Sequence, residues 1–167
     1  MALATVKYEN AILYLCKQQG GMLSGKKKLA KLLYFVDFDR YEFKESTKSL
    51  TGDTYKHLPL GPVPDHYMEI VARLKKRGAL KHDVTEGSNG YAPTEVFSAK
   101  QEPDLRLFDK DDLYILQRVS KLYGGLNGTQ LEKLSHAEAP YLATEPYEPI
   151  DYQLAFYRES EFSDAVS

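Results

Sequence analysis

Tryptophan is absent from this chain, and cysteine occurs once, at Cys16. A single thiol forms no internal disulfide and gives a zinc site at most one thiolate, so the composition points to a reducing compartment, the cytoplasm. No apolar run is long enough to cross a bilayer, and the N-terminal residues lack the basic and apolar regions of a signal peptide. Neither sign of charge is in excess. Lys and Arg number 22 against 24 Asp and Glu, so no overall field draws the protein to nucleic acid or to an anionic membrane. Repeats, low-complexity tracts and the Gly-Lys-Ser/Thr phosphate-binding signature are missing as well.

What is present is ordinary for one globular domain with its own core: 167 residues, 43 % hydrophobic and 28 % charged. Residues 159–167, with Glu159, Ser160, Glu161, Ser163 and Asp164, read as a tail that frays. The apolar pattern predicts an α+β, mainly helical domain of about five helices with a small antiparallel hairpin or three-stranded sheet. Helix 1 is expected over about 5–19, with Val6, Ala11, Ile12, Leu15 and Cys16 on one stripe and Gly20-Gly21 as its stop. Ser24 is the expected cap of helix 2, which runs to about Glu45. That helix is apolar on two faces, Leu29, Leu32, Leu33, Val36 and Phe43 on one, and Ala30, Tyr34, Phe38 and Tyr41 on the other. Such a helix lies in the middle of a fold, or covers the core with one face and a partner with the other.

Residues 51–68 combine Pro59, Pro62, Pro64, Gly52 and Gly61 with Tyr55, Leu58, Leu60, Val63 and Tyr67. The segment is too stiff for a linker and too apolar for a solvent loop. Thr51 to Leu58 is expected as a short strand, with Gly61-Pro62-Val63-Pro64 leading into helix 3 at about 64–77. Ala79 to Thr85, a turn at 86–90, and Tyr91 to Phe97 form the expected hairpin. Helix 4 starts at Asp109 or Lys110 and ends at Gly124-Gly125, and helix 5 covers Asn127 to Ser135. Pro140, Pro146 and Pro149 make the remainder irregular, with Ile150, Leu154 and Phe156 folding back on the core.

Three kinds of site are weighed. Asp53, His57, Asp65 and His66 cluster around the prolines, but their spacing matches no metal or acid–base motif, so Asp53 is read as a turn cap and the histidines as surface or hydrogen-bonded groups. Arg73, Lys75, Lys76 and Arg77, followed by the hairpin, resemble the helix and wing of a winged-helix regulator, although Asp83 and Glu86 flank the wing tip where phosphates want cations. Lys26, Lys27 and Lys28 add a second basic cluster. Tyr34, Phe38 and Tyr41, with Lys27 and Lys31 nearby, give an aromatic face suited to a protein interface, although periodicity alone favours packing in the core. Cys16 falls on the apolar side of helix 1 and reads as core.

Three motifs taken in order carry a resemblance: Lys31-Leu32-Leu33-Tyr34-Phe35 with Asp37; Thr51-Gly52-Asp53-Thr54-Tyr55 with Gly61-Pro62-Val63-Pro64; and Leu134-Ser135-His136 with Pro140, Ile150 and Ala155. Over about residues 5–158 the chain resembles the Panacea domain, the SocA-like antitoxin or phage-associated-protein family. It departs from that pattern at Pro140-Tyr141, where many relatives place tryptophan. The resemblance implies a prokaryotic or phage-associated antitoxin, not an enzyme, that binds a cognate protein toxin encoded by an adjacent gene and needs no cofactor or metal. Tyr34, Phe38, Tyr41, Lys56, His57, Leu60, Arg73, Lys76 and Arg77 are the candidate contacts. The alternative is a winged-helix DNA-binding regulator.

Overall fold

A helix that is apolar nearly all round has to be enclosed, and residues 26–44 are. In the computed structural model, which describes residues 1–45, 47–87 and 93–162, α2 (Lys26–Lys44) is buried on every side from Leu29 to Tyr41. Its neighbours are α1 (Thr5–Gln18), α4 (Lys110–Tyr123), α5 (Gly128–His136) and the C-terminal 3-10 turn at Tyr152–Arg158. The remaining elements are β1 (Met22–Ser24), β2 (Tyr55–Leu58), β3 (Gly61–Pro64), α3 (Tyr67–Lys76), β4 (Leu80–Thr85), β5 (Thr94–Ala99), a 3-10 turn at Leu105–Leu107 and the one-turn helix α6 (Ala139–Leu142). The architecture is α+β and mainly helical, as the apolar pattern predicts.

The local signals for α4 and α5 work as chemistry. Asp109 accepts from the Asp112 backbone N–H at 2.8 Å while Asp112 accepts from that of Asp109 at 3.1 Å, and Asn127 and Gln130 form the same reciprocal cap. Ser24 does not cap α2. It belongs to β1, opposite Val96, and Gly25 occupies the cap position with no side-chain bond. Val6 is exposed, because the start of α1 turns it away from the core.

The sheet runs β1-β5-β4, all antiparallel, with Leu23 opposite Phe97 and His82 opposite Phe97 on its other side. β5 starts at Thr94. The expected turn over 86–90 and the strand start at Tyr91 fall largely on residues 88–92, outside the described residues.

The Gly-Pro-Val-Pro stretch is not the lead-in to a helix. It is β3, paired with β2, and α3 starts later, at Tyr67. Prolines fit there because β2 turns alternate backbone groups to opposite sides. His57 donates its N–H to the Glu148 carbonyl, and the Tyr55 carbonyl accepts from Ile150, so both residues spend their hydrogen bonds away from β3. Pro64 and Pro62 lie opposite Tyr55 and His57, where no N–H is asked for. The C-terminal part is correspondingly more ordered than its prolines suggest, with Ile150 buried and Leu154 packed against the core. Phe156 is 42 % exposed and meets Tyr41 with the two rings tilted by 47°.

Candidate partner-binding site

The rigid segment 51–68 is fixed by two buried carboxylates. Asp37, fully enclosed on α2, accepts from the Thr51 N–H at 2.8 Å, the Thr51 hydroxyl at 2.5 Å and the Tyr55 hydroxyl at 2.6 Å. Burial pushes its pKa up to about 6, against these bonds, which lower it. Asp53 accepts from the Tyr8 hydroxyl at 2.7 Å and from the His66 backbone N–H at 2.9 Å, and His66 Nδ1 lies 2.8 Å away. Burial, then the Asp53 charge, holds the Tyr8 phenol far above its usual range, so Tyr8 keeps its proton and donates. Asp53 thus does turn-fixing work, and the His66 pKa is raised chiefly by its hydrogen bond to that carboxylate.

At Gly52 a Cβ would sit 2.1 Å from the Ala2 carbonyl oxygen, and φ is 78°, so glycine lets the N-terminal segment lie against this turn. From the other side Tyr152 donates to the Asp53 carbonyl, and Tyr141 donates to the Leu58 carbonyl. The Tyr141 ring is sandwiched, with His57 at 3.6 Å between centroids and His136 at 4.5 Å. His57 Nδ1 also lies 2.9 Å from the Tyr141 carbonyl oxygen. His57 is therefore a structural partner of Tyr141.

The base of the β2–β3 hairpin is thus held from several sides, while its tip is open. Leu60 is 57 % exposed. Beside it lies a groove of about 610 Å³ between the hairpin and the start of α2, walled by Ala30, Leu58, Leu60, Val63 and Tyr67, with Lys31 against its inner side. Lys26 and Lys27 stand at its rim.

The nine candidate contacts do not form one surface. Tyr34 and Phe38 are fully buried and Tyr41 nearly so: Phe38 and Tyr41 stack on Tyr152, Tyr41 also meets Phe156, and the Tyr34 ring lies between Phe38 and the Arg158 guanidinium. Tyr34 donates to Glu138 at 2.7 Å inside the protein. These three aromatics are core, not contact residues. Lys56 pairs with Asp65 at 2.8 Å on the outer side of the hairpin. Arg73 and Arg77 reach back to Glu9 of α1, at 3.5 and 3.3 Å, and with Lys76 they line a separate recess of about 440 Å³. Of the basic run 26–28, Lys27 pairs with Glu132 on α5 and Lys28 donates to the Gly124 carbonyl at the end of α4.

Cys16 is buried and its thiol is pushed up to about 12 by burial, which suits core and not nucleophile. Among the described residues, no group of three or more His, Cys, Asp or Glu is placed to hold a metal ion. Nor is any helix long and apolar enough to cross a membrane.

Residue-pattern reasoning passed over a buried ionic network. Asp39 is paired with Arg118 and, at 2.5 Å, with Arg158, and Arg158 also meets Glu138 at 3.1 Å. Charged residues inside an otherwise apolar helix, Lys31, Asp37 and Asp39, were the available signal. Residues 29–141, more than half of the chain, match the family described as Antitoxin SocA-like, Panacea domain. No curated protein matches the chain, and no solved structure does.

Proposed function

The chain belongs to the SocA-like Panacea family of antitoxin domains, and on that premise we propose that it neutralises a cognate protein toxin by direct, stoichiometric binding. The observation that supports this most is the hairpin with a fixed base, an exposed Leu60 at its tip and a ready-made apolar groove beside it. A preformed apolar recess binds with little ordering cost, and aliphatic or aromatic anchors in such recesses dominate protein interfaces. The toxin is the product of an adjacent gene, and the pair acts in the cytoplasm without a cofactor and without turnover. Co-expression decides it. The neighbouring reading frame should arrest growth alone and be harmless with this chain, and Leu60→Asp should weaken the complex on size exclusion. A neighbour that is harmless alone, or toxic in both cases, removes the reading.

One observation favours a second reading. The order α1-β1-α2-α3-β4-β5, with the sheet order β1-β5-β4, is a winged-helix layout into which the β2–β3 hairpin is inserted. That reading makes α3 a DNA-contacting helix. Against it, Arg73 and Arg77 are engaged by Glu9. A mobility shift with the upstream DNA that weakens steeply with salt and with Arg73→Glu plus Lys76→Glu would favour the regulator.

A further inference from the structure

Lys31 is out of place by every ordinary rule of burial. It is 1 % exposed, yet among the described residues it makes no hydrogen bond and no ion pair. Glu132, whose charge acts on it, is held by Lys27 at 2.8 Å. An ammonium left with little water and no protein partner is costly, and lysine is almost never buried so far unless it is paired. The Lys31 Nζ is not among the fully enclosed atoms that lack a partner, so it keeps some contact with solvent. The chain makes specific room for it. Gly61 has φ 112°, and a Cβ there would lie 2.5 Å from Lys31 Cε and 3.3 Å from its Nζ. Two of the sequence motifs, Lys-Leu-Leu-Tyr-Phe and Gly-Pro-Val-Pro, therefore meet at this lysine. The same lysine lines the groove whose other walls are apolar.

Resting on the toxin-binding reading above, we propose that this groove receives an apolar side chain of the protein partner that stands next to a carboxylate, and that the carboxylate pairs with Lys31. The apolar part fills the space between Leu58, Val63 and Tyr67. The charge choice follows from the lining. Lys31 is unpaired, Lys26 at the rim is exposed and without an ion pair among the described residues, and no carboxylate lines the groove. Burial lowers the Lys31 pKa to about 8, so it stays largely protonated at neutral pH and can meet an anion. A partner carboxylate that arrives as the groove closes gains a desolvated ion pair, which sets both affinity and specificity. A nucleic-acid phosphate is less well served. Pro59 and Pro62 on the hairpin have no N–H to offer it, and the walls carry no arginine.

Two measurements test this. The first titrates the ¹⁵N-labelled protein with 4-phenylbutyrate and with its neutral analogue 4-phenylbutyramide. The acid should shift the amides of Lys31, Leu58, Leu60 and Val63 and bind about tenfold more tightly than the amide, the difference a charge-assisted contact makes. Lys31→Met should bind both alike. Equal binding by the wild type, shifts confined to the Arg73–Arg77 recess, or no binding of either would overturn the proposal. The second measures the affinity of Lys31→Met for the adjacent gene's product, with the fold monitored by thermal unfolding. A folded variant should lose about tenfold or more in affinity. If the toxin is still neutralised with undiminished affinity, the groove proposal falls and the antitoxin reading stands. If the neighbour is no toxin, the antitoxin reading falls, and the acid–amide comparison still decides the chemistry of the groove.

Discussion

Replacing Lys31 by methionine should make the free protein more stable. Burial lowers the lysine pKa from its ordinary 10.5 to about 8, and each unit corresponds to about 1.4 kcal/mol. The protonated side chain therefore costs the folded state about 3 kcal/mol at neutral pH. Methionine keeps an unbranched stem beneath Gly61 and carries no charge. The expected gain at pH 7 is about 1–3 kcal/mol, the lower figure allowing for imperfect repacking. For a chain of this size that raises Tm by roughly 2–4 °C per kcal/mol. The pH dependence supplies the sharper check. The folded protein binds the lysine proton less tightly than the unfolded chain, so unfolding takes up a proton between pH 8 and 10.5. The lysine's stability is complete above 10.5 and is lost as pH falls through 8. The advantage of Lys31→Met should thus be full at pH 7 and shrink towards zero by about pH 10. Urea unfolding at the two pH values, with equal slopes required for the comparison, measures it. A variant less stable than its parent at pH 7, or a difference that does not change with pH, would refute the argument.

Three other outcomes follow from the same geometry. Gly61→Ala places a methyl 2.5 Å from Lys31 Cε at a φ of 112°, and should cost about 1–3 kcal/mol in denaturant unfolding. Adding Lys31→Ala should recover part of that loss, since the backbone strain remains. Arg158→Met leaves Asp39 and Glu138 short of their shared cation, and should cost about 3–5 kcal/mol, with faster hydrogen exchange across residues 152–158. His66 should titrate above the ordinary histidine value of 6.5 by NMR and fall back in Asp53→Asn, because its shift comes chiefly from that hydrogen bond. The stability it adds is complete below the ordinary value and is lost as pH rises through the raised one.

Helices α1, α4 and α5 were legible because their signals are local: a stripe at helical spacing, a reciprocal cap, a glycine stop. The strand β3 was not. Whether a proline fits opposite Tyr55 depends on which way Tyr55 turns its carbonyl, and that is fixed by Ile150, far along the chain. The two faces of α2 had the same limit. Periodicity shows that Tyr34, Phe38 and Tyr41 share a side, but it takes Glu138, Tyr152, Phe156 and Arg158, far along the chain, to decide that the side is covered. Several residues of the ordered motifs are positions where separate segments meet. Asp37 holds Thr51 and Tyr55, and Gly61 lies over Lys31.

Sorting the buried charges by whether they are answered separates structure from function in this fold. Asp37, Asp39, Asp53, Asp112 and Arg158 each have partners, so breaking any of them should be read first as a loss of stability. Lys31 has none among the described residues and lies against a groove beside an exposed leucine. A mutation there should move stability and partner affinity in opposite directions. Residues that only support the fold lose both together, because a partner binds the folded state. Opposite signs in one variant are thus a signature that the structural network cannot produce, and Lys31→Met is the substitution at which this fold can show it.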